Sequence, residues 1–179
     1  LLGSRGLGDV YKRQHLHHVA GKVMALAEFM EYGEAYATDI VSNARAFAGA
    51  LAAEGFDVLA ESRGYTASHQ VLTRHGELDS GAGAKAAQRL EEAGIITNMN
   101  MLPGDTKAMT PSGLRLGVQE LTRVGFSNDD MEEVASFYAR VLLHGEDPAA
   151  VRADVHALKQ QRQTIRYCFN EDERSGYPE

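Results

Sequence analysis

The sequence predicts a mixed α/β chain, with an α+β domain that holds a partly antiparallel sheet. Three observations indicate this fold class. Apolar residues recur at helical spacing between positions 16 and 54, four short strand-like runs lie between positions 56 and 118, and helical spacing returns after position 127. Strands this short, mixed with single helices, are typical of an α+β layer.

Two helices are predicted at the start, separated near Gly33, and Gly55 provides a left-handed stop after the second. Their apolar faces repeat at steps of three and four residues. The first face comprises Val19, Val23, Leu26 and Met30, and the second comprises Ile40, Ala44, Phe47 and Leu51.

Strands are predicted at residues 56–60, 68–73, 95–98 and 113–118, in the order β-β-α-β-β-α-α after the opening helices. Asp79 or Ser80 is predicted to cap the helix that ends at Ala93. Ser127 is predicted to cap the next helix, and Asp147 the last one, where Pro148 suits the first helical position.

Composition excludes several classes of protein. The 179 residues carry a net charge of -7, which does not suggest a nucleic-acid-binding surface. No run of 18 apolar residues is present, so no membrane span is expected. The single cysteine, Cys168, permits no internal disulfide and favours a reducing, cytoplasmic location.

The ends of the chain differ from the rest. Residues 1–14, LLGSRGLGDVYKRQ, show no helical or strand period and resemble translated sequencing-adapter DNA, so we expect this segment to be foreign to the fold or disordered. Residues 171–179 form a polar tail.

Arg115 is the strongest candidate for a binding residue. It lies in the segment PSGLRLGVQELTRVGF, among small and apolar residues of a predicted strand. Burial of a charged group there is costly unless an anion meets it, and the guanidinium fork can hold a carboxylate with two parallel hydrogen bonds. The alternative is a structural arginine paired with Glu120 or an aspartate.

Four segments, in order, resemble motifs of the serine hydroxymethyltransferase family. HLHHVAGKVMAL resembles the helix after the family's Gly-Gly turn, and GYTASHQVL is similar to TDNHLxLVD. GIITNMNMLPGD is similar to ITVNKNxxPxD, and PSGLRLG to SGIRxG. The resemblance implies the C-terminal part of a fold-type I (aspartate aminotransferase-like) pyridoxal-phosphate enzyme that lacks most of the large domain. Residues 15–54 would end that large domain, and residues 55–170 would form the small domain.

That resemblance implies an activity and two site residues. The family interconverts serine and tetrahydrofolate with glycine and 5,10-methylenetetrahydrofolate, using pyridoxal 5'-phosphate as cofactor. Arg115 matches the arginine that holds the α-carboxylate of serine or glycine, and Asn100 matches the asparagine that binds the folate pteridine. A homodimer, or a dimer of dimers, is implied for the longer protein.

The resemblance also implies that this chain alone is inactive. The Schiff-base lysine and the other residues that hold the cofactor match no segment of it, and pyridoxal-phosphate chemistry depends on that lysine. The loop before Pro111 departs from the Ser-Pro-Phe pattern of the family, in which this loop contacts folate. Two alternatives therefore stay open: a folate-independent β-hydroxy amino acid aldolase of the threonine type, and a non-catalytic ligand-binding module.

Histidines provide two weaker candidates. His15, His17 and His18 resemble a metal cluster, but neighbouring helical side chains point about 100° apart and no carboxylate follows at helical spacing, so no metal site is predicted. His69 is interpreted as a structural histidine with its hydrogen bonds satisfied.

Overall fold

The computed structural model describes residues 16–162 and 164–170. The predictions for the foreign segment at residues 1–14 and for the polar tail at residues 171–179 lie outside the described residues. No described helix combines the length and apolar character that crossing a membrane requires.

The chain opens with one continuous helix of 39 residues, α1 (Leu16–Glu54), so the prediction of two helices is wrong. Gly33 does not break the helix, because a single internal glycine costs only about 1 kcal/mol. Phe29 and Tyr36, seven residues apart on one face, stack edge to face across it at 6.3 Å. Gly55 ends α1 with a φ of 103°, which confirms the predicted stop.

The two halves of α1 have different surroundings. The C-terminal half is buried through Ala44, Phe47 and Leu51. On the N-terminal half, by contrast, Leu26 is 66% exposed and Met30 is 90% exposed. Contiguous exposed apolar stripes of this kind are uncommon on monomeric soluble proteins.

Four antiparallel strands form a sheet in the order β1-β2-β4-β3. They are β1 (Asp57–Val58), β2 (Gln70–Arg74), β3 (Asn98–Asn100) and β4 (Gly113–Gly117). The third strand begins three residues later than predicted, and every pairing in this sheet is antiparallel. β4 is therefore an inner strand with a partner on each side.

Four further helices complete the described fold: α2 (Ala82–Glu92), α3 (Gln119–Arg123), α4 (Met131–Leu142) and α5 (Pro148–Gln161). The short helix α3 was not predicted, because its five residues are too few to show a helical period. Single 3-10 turns cover Glu61–Arg63 and Asn128–Asp130.

The predicted helix caps have different outcomes. Gly81, in the left-handed region at φ 70°, occupies the N-cap position of α2, so the prediction for Asp79 is wrong. Ser80 lies one residue before that position, and its hydroxyl accepts from the N–H of Ala82, the first residue of the helix, at 3.3 Å. Ser127 is the N-cap of the 3-10 turn Asn128–Asp130 that leads into α4, whereas Asp130 occupies the N-cap position of α4 itself. The Ser127 backbone N–H donates to Asp130 Oδ2 at 2.8 Å. Asp147 caps α5 by accepting from the Ala149 N–H at 3.0 Å, which confirms that prediction.

The core lies between one face of the sheet and helices α1, α2 and α4. Phe47 of α1 meets the ring of Tyr138 of α4 at 5.4 Å. The helix α2 packs closely against β4, where a Cβ added to Gly83 would stand 2.2 Å from the Gly113 carbonyl oxygen. Only glycine allows this approach, which brings helix and strand backbones into direct contact.

One buried polar group links α1 to the residues around α3. The Asn43 side-chain amide donates to Thr122 Oγ1 at 2.9 Å and to the Phe126 carbonyl at 3.0 Å. Both bonds are buried, so loss of either partner would leave an unpaired polar group at a cost of about 1–3 kcal/mol.

The continuity of α1 is tested by Gly33→Ala. Alanine should raise the free energy of unfolding by about 0.5–1 kcal/mol, because its helix propensity is higher than that of glycine. The new Cβ would stand 3.0 Å from Phe29 Cδ1, an exposed side chain that can move. Urea denaturation measures the change, and Gly21→Ala, with nothing within 4 Å of its added Cβ, is the matched control. Destabilisation by Gly33→Ala alone would contradict a continuous helix.

Candidate functional site

Arg115 occupies the middle of β4, on the face of the sheet opposite the core. Its neighbours in the chain, Leu114 and Leu116, are buried, whereas Arg115 is exposed. Successive side chains of a strand point to opposite faces, so the buried leucines fix the outward direction of the guanidinium. The cross-strand partners of Arg115 are Leu72 on β2 and Asn98 on β3, which share its face.

A polar cleft of about 280 Å³ surrounds Arg115. It opens where β3 and β4 cease to pair, because the segment before Asn98 turns away from Leu116 and Gly117. The polar side chains that line it are His69, Gln70, Thr97, Asn98, Gln119 and Glu120.

Within the described part of the chain, the Arg115 guanidinium makes no hydrogen bond and no ion pair. Glu120 lines the same cleft but lies beyond ion-pair distance. The interpretation of Arg115 as a structural arginine paired with Glu120 or an aspartate therefore finds no support. The expected cost of burying its charge is also not incurred here, because water reaches the side chain.

Asn100, the predicted folate-binding residue, lies on the same open face as Arg115, two residue pairs further along. It pairs across the sheet with Gly113, and its Nδ2 donates to the Met101 carbonyl at 2.6 Å. Asn98 is closer to Arg115, because it lies directly opposite on β3. Asn98 was not predicted as a site residue, although its spacing of two from Asn100 indicates that both share one face of a strand.

His69 is exposed, so the interpretation that it is a structural histidine with satisfied hydrogen bonds is wrong. It precedes β2 by one residue, outside the alternation that buries Val71 and Thr73. Its carbonyl accepts a long bond from the Val118 N–H at 3.4 Å, and its side chain lines the cleft with Arg115.

Two aspartates hold the loop between β3 and β4 against the turn before α2. Asp105 accepts hydrogen bonds from the backbone N–H groups of Asp79, Leu102 and Ser112. Asp79 in turn accepts from the hydroxyl of Thr106 at 2.6 Å. The loop that follows Asn100 and leads into β4 is thereby fixed at both ends.

These bonds lower the pKa of both carboxyl groups. For Asp105, burial raises the pKa, but the donors of Leu102, Ser112 and Asp79 outweigh it and hold the pKa well below the ordinary 3.8. For Asp79, the Thr106 hydroxyl is the largest cause of the lowering. Hydrogen bonds to the ionised form account for both shifts.

The lysines of the described residues do not fit the role of a covalent cofactor anchor. Such a lysine is desolvated inside its site, whereas Lys22, Lys85, Lys107 and Lys159 are all exposed and none lines the Arg115 cleft. The described residues also contain no group of three or more His, Cys, Asp or Glu able to hold a metal ion. His17 and His18 stack edge to face at 4.2 Å.

The fold defines the class. The chain has part of the fold of a fold-type I pyridoxal-phosphate-dependent transferase. It is similar to the crystal structure of L-threonine transaldolase from Pseudomonas fluorescens in the internal aldimine state, with a TM-score of 0.74 and 32% identity. That match covers 85% of this chain and 34% of the transaldolase chain.

More specifically, the chain belongs to the serine hydroxymethyltransferase family, whose model matches residues 11–138. It is 54% identical over 163 residues to the serine hydroxymethyltransferase of Thermococcus kodakarensis, and 54% identical over 163 residues to that of Pyrococcus abyssi. Each match covers 90% of this chain, which spans 38% of the length of either relative.

The anchoring of the loop by Asp105 is tested by Asp105→Asn. The variant should unfold at lower urea concentration at neutral pH, because an amide oxygen replaces an ionised acceptor of several N–H groups. A carboxyl group with a lowered folded-state pKa stabilises the fold above its unfolded-state pKa and loses that effect as the pH falls through the folded-state value. The difference from wild type should therefore shrink below the ordinary value of 3.8. Asp129→Asn, at an exposed carboxyl, is the control, and a difference independent of pH would contradict the assignment.

Proposed function

We propose that this chain is the C-terminal part of an enzyme that interconverts serine and tetrahydrofolate with glycine and 5,10-methylenetetrahydrofolate. The observation that carries the proposal is the exposed guanidinium of Arg115, held on an inner strand without a partner among the described residues. Membership of the serine hydroxymethyltransferase family supports it independently.

Arg115 is proposed to bind the α-carboxylate of serine or glycine. Two parallel N–H donors fix the direction of a carboxylate as well as its position, which a point charge does not. A strand flanked on both sides is a rigid support for such a grip, because β2 and β4 pair over five residues. The orientation of the bound amino acid matters, since the bond that is broken at its Cα must align with the electron-accepting group of the cofactor.

Asn100 is proposed to bind the pteridine of tetrahydrofolate. An amide presents both a donor and an acceptor, which suits the edge of a heteroaromatic ring. Its amide nitrogen already donates to the Met101 carbonyl, which fixes the orientation of the group and leaves the oxygen available as an acceptor. The Asp105 network anchors the loop that follows it.

The cofactor is proposed to be pyridoxal 5'-phosphate, attached to a lysine outside the described residues. When bound, this cofactor supplies an electron sink for bond cleavage at Cα. The contribution of this chain is to bind and orient the amino acid. That the 179-residue chain alone is inactive accordingly stays a prediction.

The longer protein is proposed to be a cytoplasmic homodimer or a dimer of dimers. The exposed apolar stripe on the N-terminal half of α1 supports contact with further polypeptide, because Leu26, Phe29 and Met30 are each more than half exposed. The remaining part of the protein and a second subunit are both proposed to cover it.

A folate-independent aldolase is the second candidate activity. The structural similarity to L-threonine transaldolase favours it, since that relative has the same arrangement of elements over 85% of this chain. The greater identity to enzymes named serine hydroxymethyltransferase favours the first candidate. Both candidate activities require Arg115 to bind the carboxylate of the amino acid, so this binding site does not distinguish the two activities.

The carboxylate grip is tested by Arg115→Ala in the longer protein. Loss of the two-point contact should lower kcat/KM for serine about 30- to 4000-fold, equivalent to about 2–5 kcal/mol. Arg115→Lys should restore only part of the loss, because an ammonium group cannot bond a carboxylate through a planar fork. Arg89→Ala, at an exposed arginine of α2, is the matched control and should leave kcat/KM unchanged. Full activity of Arg115→Ala would refute the grip.

The two candidate activities are separated by omitting tetrahydrofolate. For a hydroxymethyltransferase, release of glycine from serine should depend on added tetrahydrofolate, and Asn100→Ala should raise the KM for tetrahydrofolate about 5- to 100-fold while leaving glycine binding unchanged. Asn98→Ala, two residue pairs away on the same strand, is the comparison variant. Cleavage of threonine that is faster than that of serine and indifferent to tetrahydrofolate would establish the aldolase instead.

A further inference from the structure

One side chain of the short helix α3 reaches two other parts of the fold. Arg123 donates from Nη2 to Glu28 of α1 at 2.9 Å and from Nη1 to the Tyr167 carbonyl at 2.6 Å. The Arg123 side chain is 30% exposed and that of Glu28 is 16% exposed, so water and salt screen this ion pair only in part. Arg123 therefore ties α3 to the N-terminal half of α1 and to the end of the described chain.

Residues 164–170 form a C-terminal segment that bonds to both helices. The Arg166 N–H donates to the Arg123 carbonyl at 2.8 Å, and the Tyr167 hydroxyl donates to Asp39 of α1. Tyr167 has a φ of 60°, which is unfavourable for a residue with a side chain and persists where the surrounding contacts determine it. The two bonds between this segment and Arg123 are among those contacts.

The same cluster of side chains reaches the wall of the polar cleft. The Tyr36 hydroxyl donates to the Gln119 carbonyl at 2.8 Å. The Tyr36 ring lies 4.8 Å from the Tyr167 ring, and the Arg123 guanidinium lies 5.9 Å from the centre of the Tyr36 ring. Gln119 is the first residue of α3 and, like Glu120, lines the cleft. A shift of α3 would therefore move one wall of the cleft.

We propose that Arg123 is a positioning residue for the Arg115 cleft. Arg123 does not line the cleft, but it fixes the helix whose first two residues do. The strand that carries Arg115 is held separately by β2 and β3, so loss of Arg123 should displace the α3 wall and leave Arg115 in place. The inference rests on the proposed function, because the position of this wall matters through the amino acid that the cleft binds.

A second bond to α1 makes the fold tolerant of this displacement. Thr122, next to Arg123 in α3, accepts the buried bond from Asn43 at 2.9 Å. The helix α3 should therefore stay attached when Arg123 is replaced and change its orientation around Thr122. Loss of Arg123 thus differs from loss of Asn43, which would remove the buried bond itself.

Arg123→Met in the longer protein tests the proposal through the steady-state constants for serine. The KM should rise about fivefold or more while kcat stays within about twofold, because a displaced wall weakens the binding of the amino acid in all bound states alike. A merely structural role would reduce the amount of folded enzyme, and hence the apparent kcat, with KM unchanged. Arg123→Lys should restore part of the loss, because an ammonium group provides the charge but lacks the planar fork. Arg89→Met, at an exposed arginine of α2, is the matched control.

Cys168 reports on the C-terminal segment in the 179-residue chain. It is the single cysteine of the sequence, it is buried, and it follows Tyr167 directly. Its reaction with the thiol reagent DTNB should be about tenfold faster in Arg123→Met than in wild type or Arg89→Met, because loss of a charged donor to the Tyr167 carbonyl lets the segment open more often. An unchanged rate in Arg123→Met would overturn the proposal.

Failure of this inference can be distinguished from failure of the proposed function. Full activity of Arg115→Ala would refute the carboxylate site itself, whereas impaired Arg115→Ala together with an unchanged KM in Arg123→Met would refute only the positioning role. If Arg123→Met does not fold, Tyr36→Phe removes the hydroxyl bond to the Gln119 carbonyl and should raise KM about threefold. An unchanged KM in Tyr36→Phe would then overturn the proposal.

Discussion

The direct contact between the backbones of α2 and β4 is the constraint on which the site depends. Gly83 meets Gly113 so closely that it could not carry a side chain, because a Cβ there would stand 2.2 Å from the Gly113 carbonyl oxygen. Gly113 is itself confined by Leu102, whose Cγ would lie 2.4 Å from an added Cβ. Two residues later the same strand presents Arg115, so the placement of this charged group depends on the absence of a side chain at Gly83.

The inner strand β4 thus performs two tasks with alternate residues. Leu114 and Leu116 are almost fully buried against the helices, while Arg115 faces the cleft between them. Any shift of register by one residue would move the guanidinium into the core and the leucines into water. The pairing with β2 over five residues and with β3 over three prevents such a shift, and packing and binding are therefore specified by the same hydrogen bonds.

Much of this arrangement could be predicted from the sequence, and the exceptions have physical reasons. Sequence patterns located three strands of the sheet and the helices α2, α4 and α5, and they placed the third strand three residues too early. The break at Gly33 was wrong because contacts between Phe29 and Tyr36 span the glycine. Asp79 was expected to cap a helix, but it accepts hydrogen bonds from a loop 27 residues away, a distant contact that local patterns do not encode. The role of His69 at the cleft was missed for the same reason, since it follows from tertiary pairing with the end of β4.

The long helix α1 gives the domain the mechanics of a lever. Asn43 fixes its buried end to the residues around α3, and Tyr36 bonds to the Gln119 carbonyl at 2.8 Å, directly after the Arg115 strand. A third anchor lies nearer the N-terminal end, where Glu28 pairs with Arg123 of α3 at 2.9 Å. From Glu28 to Leu16 the helix extends about 18 Å, at about 1.5 Å per residue. A tilt of about 3° at Glu28 would displace that end by about 1 Å. Movements of the residues around α3, directly after the Arg115 strand, would therefore be passed along α1 to the apolar stripe.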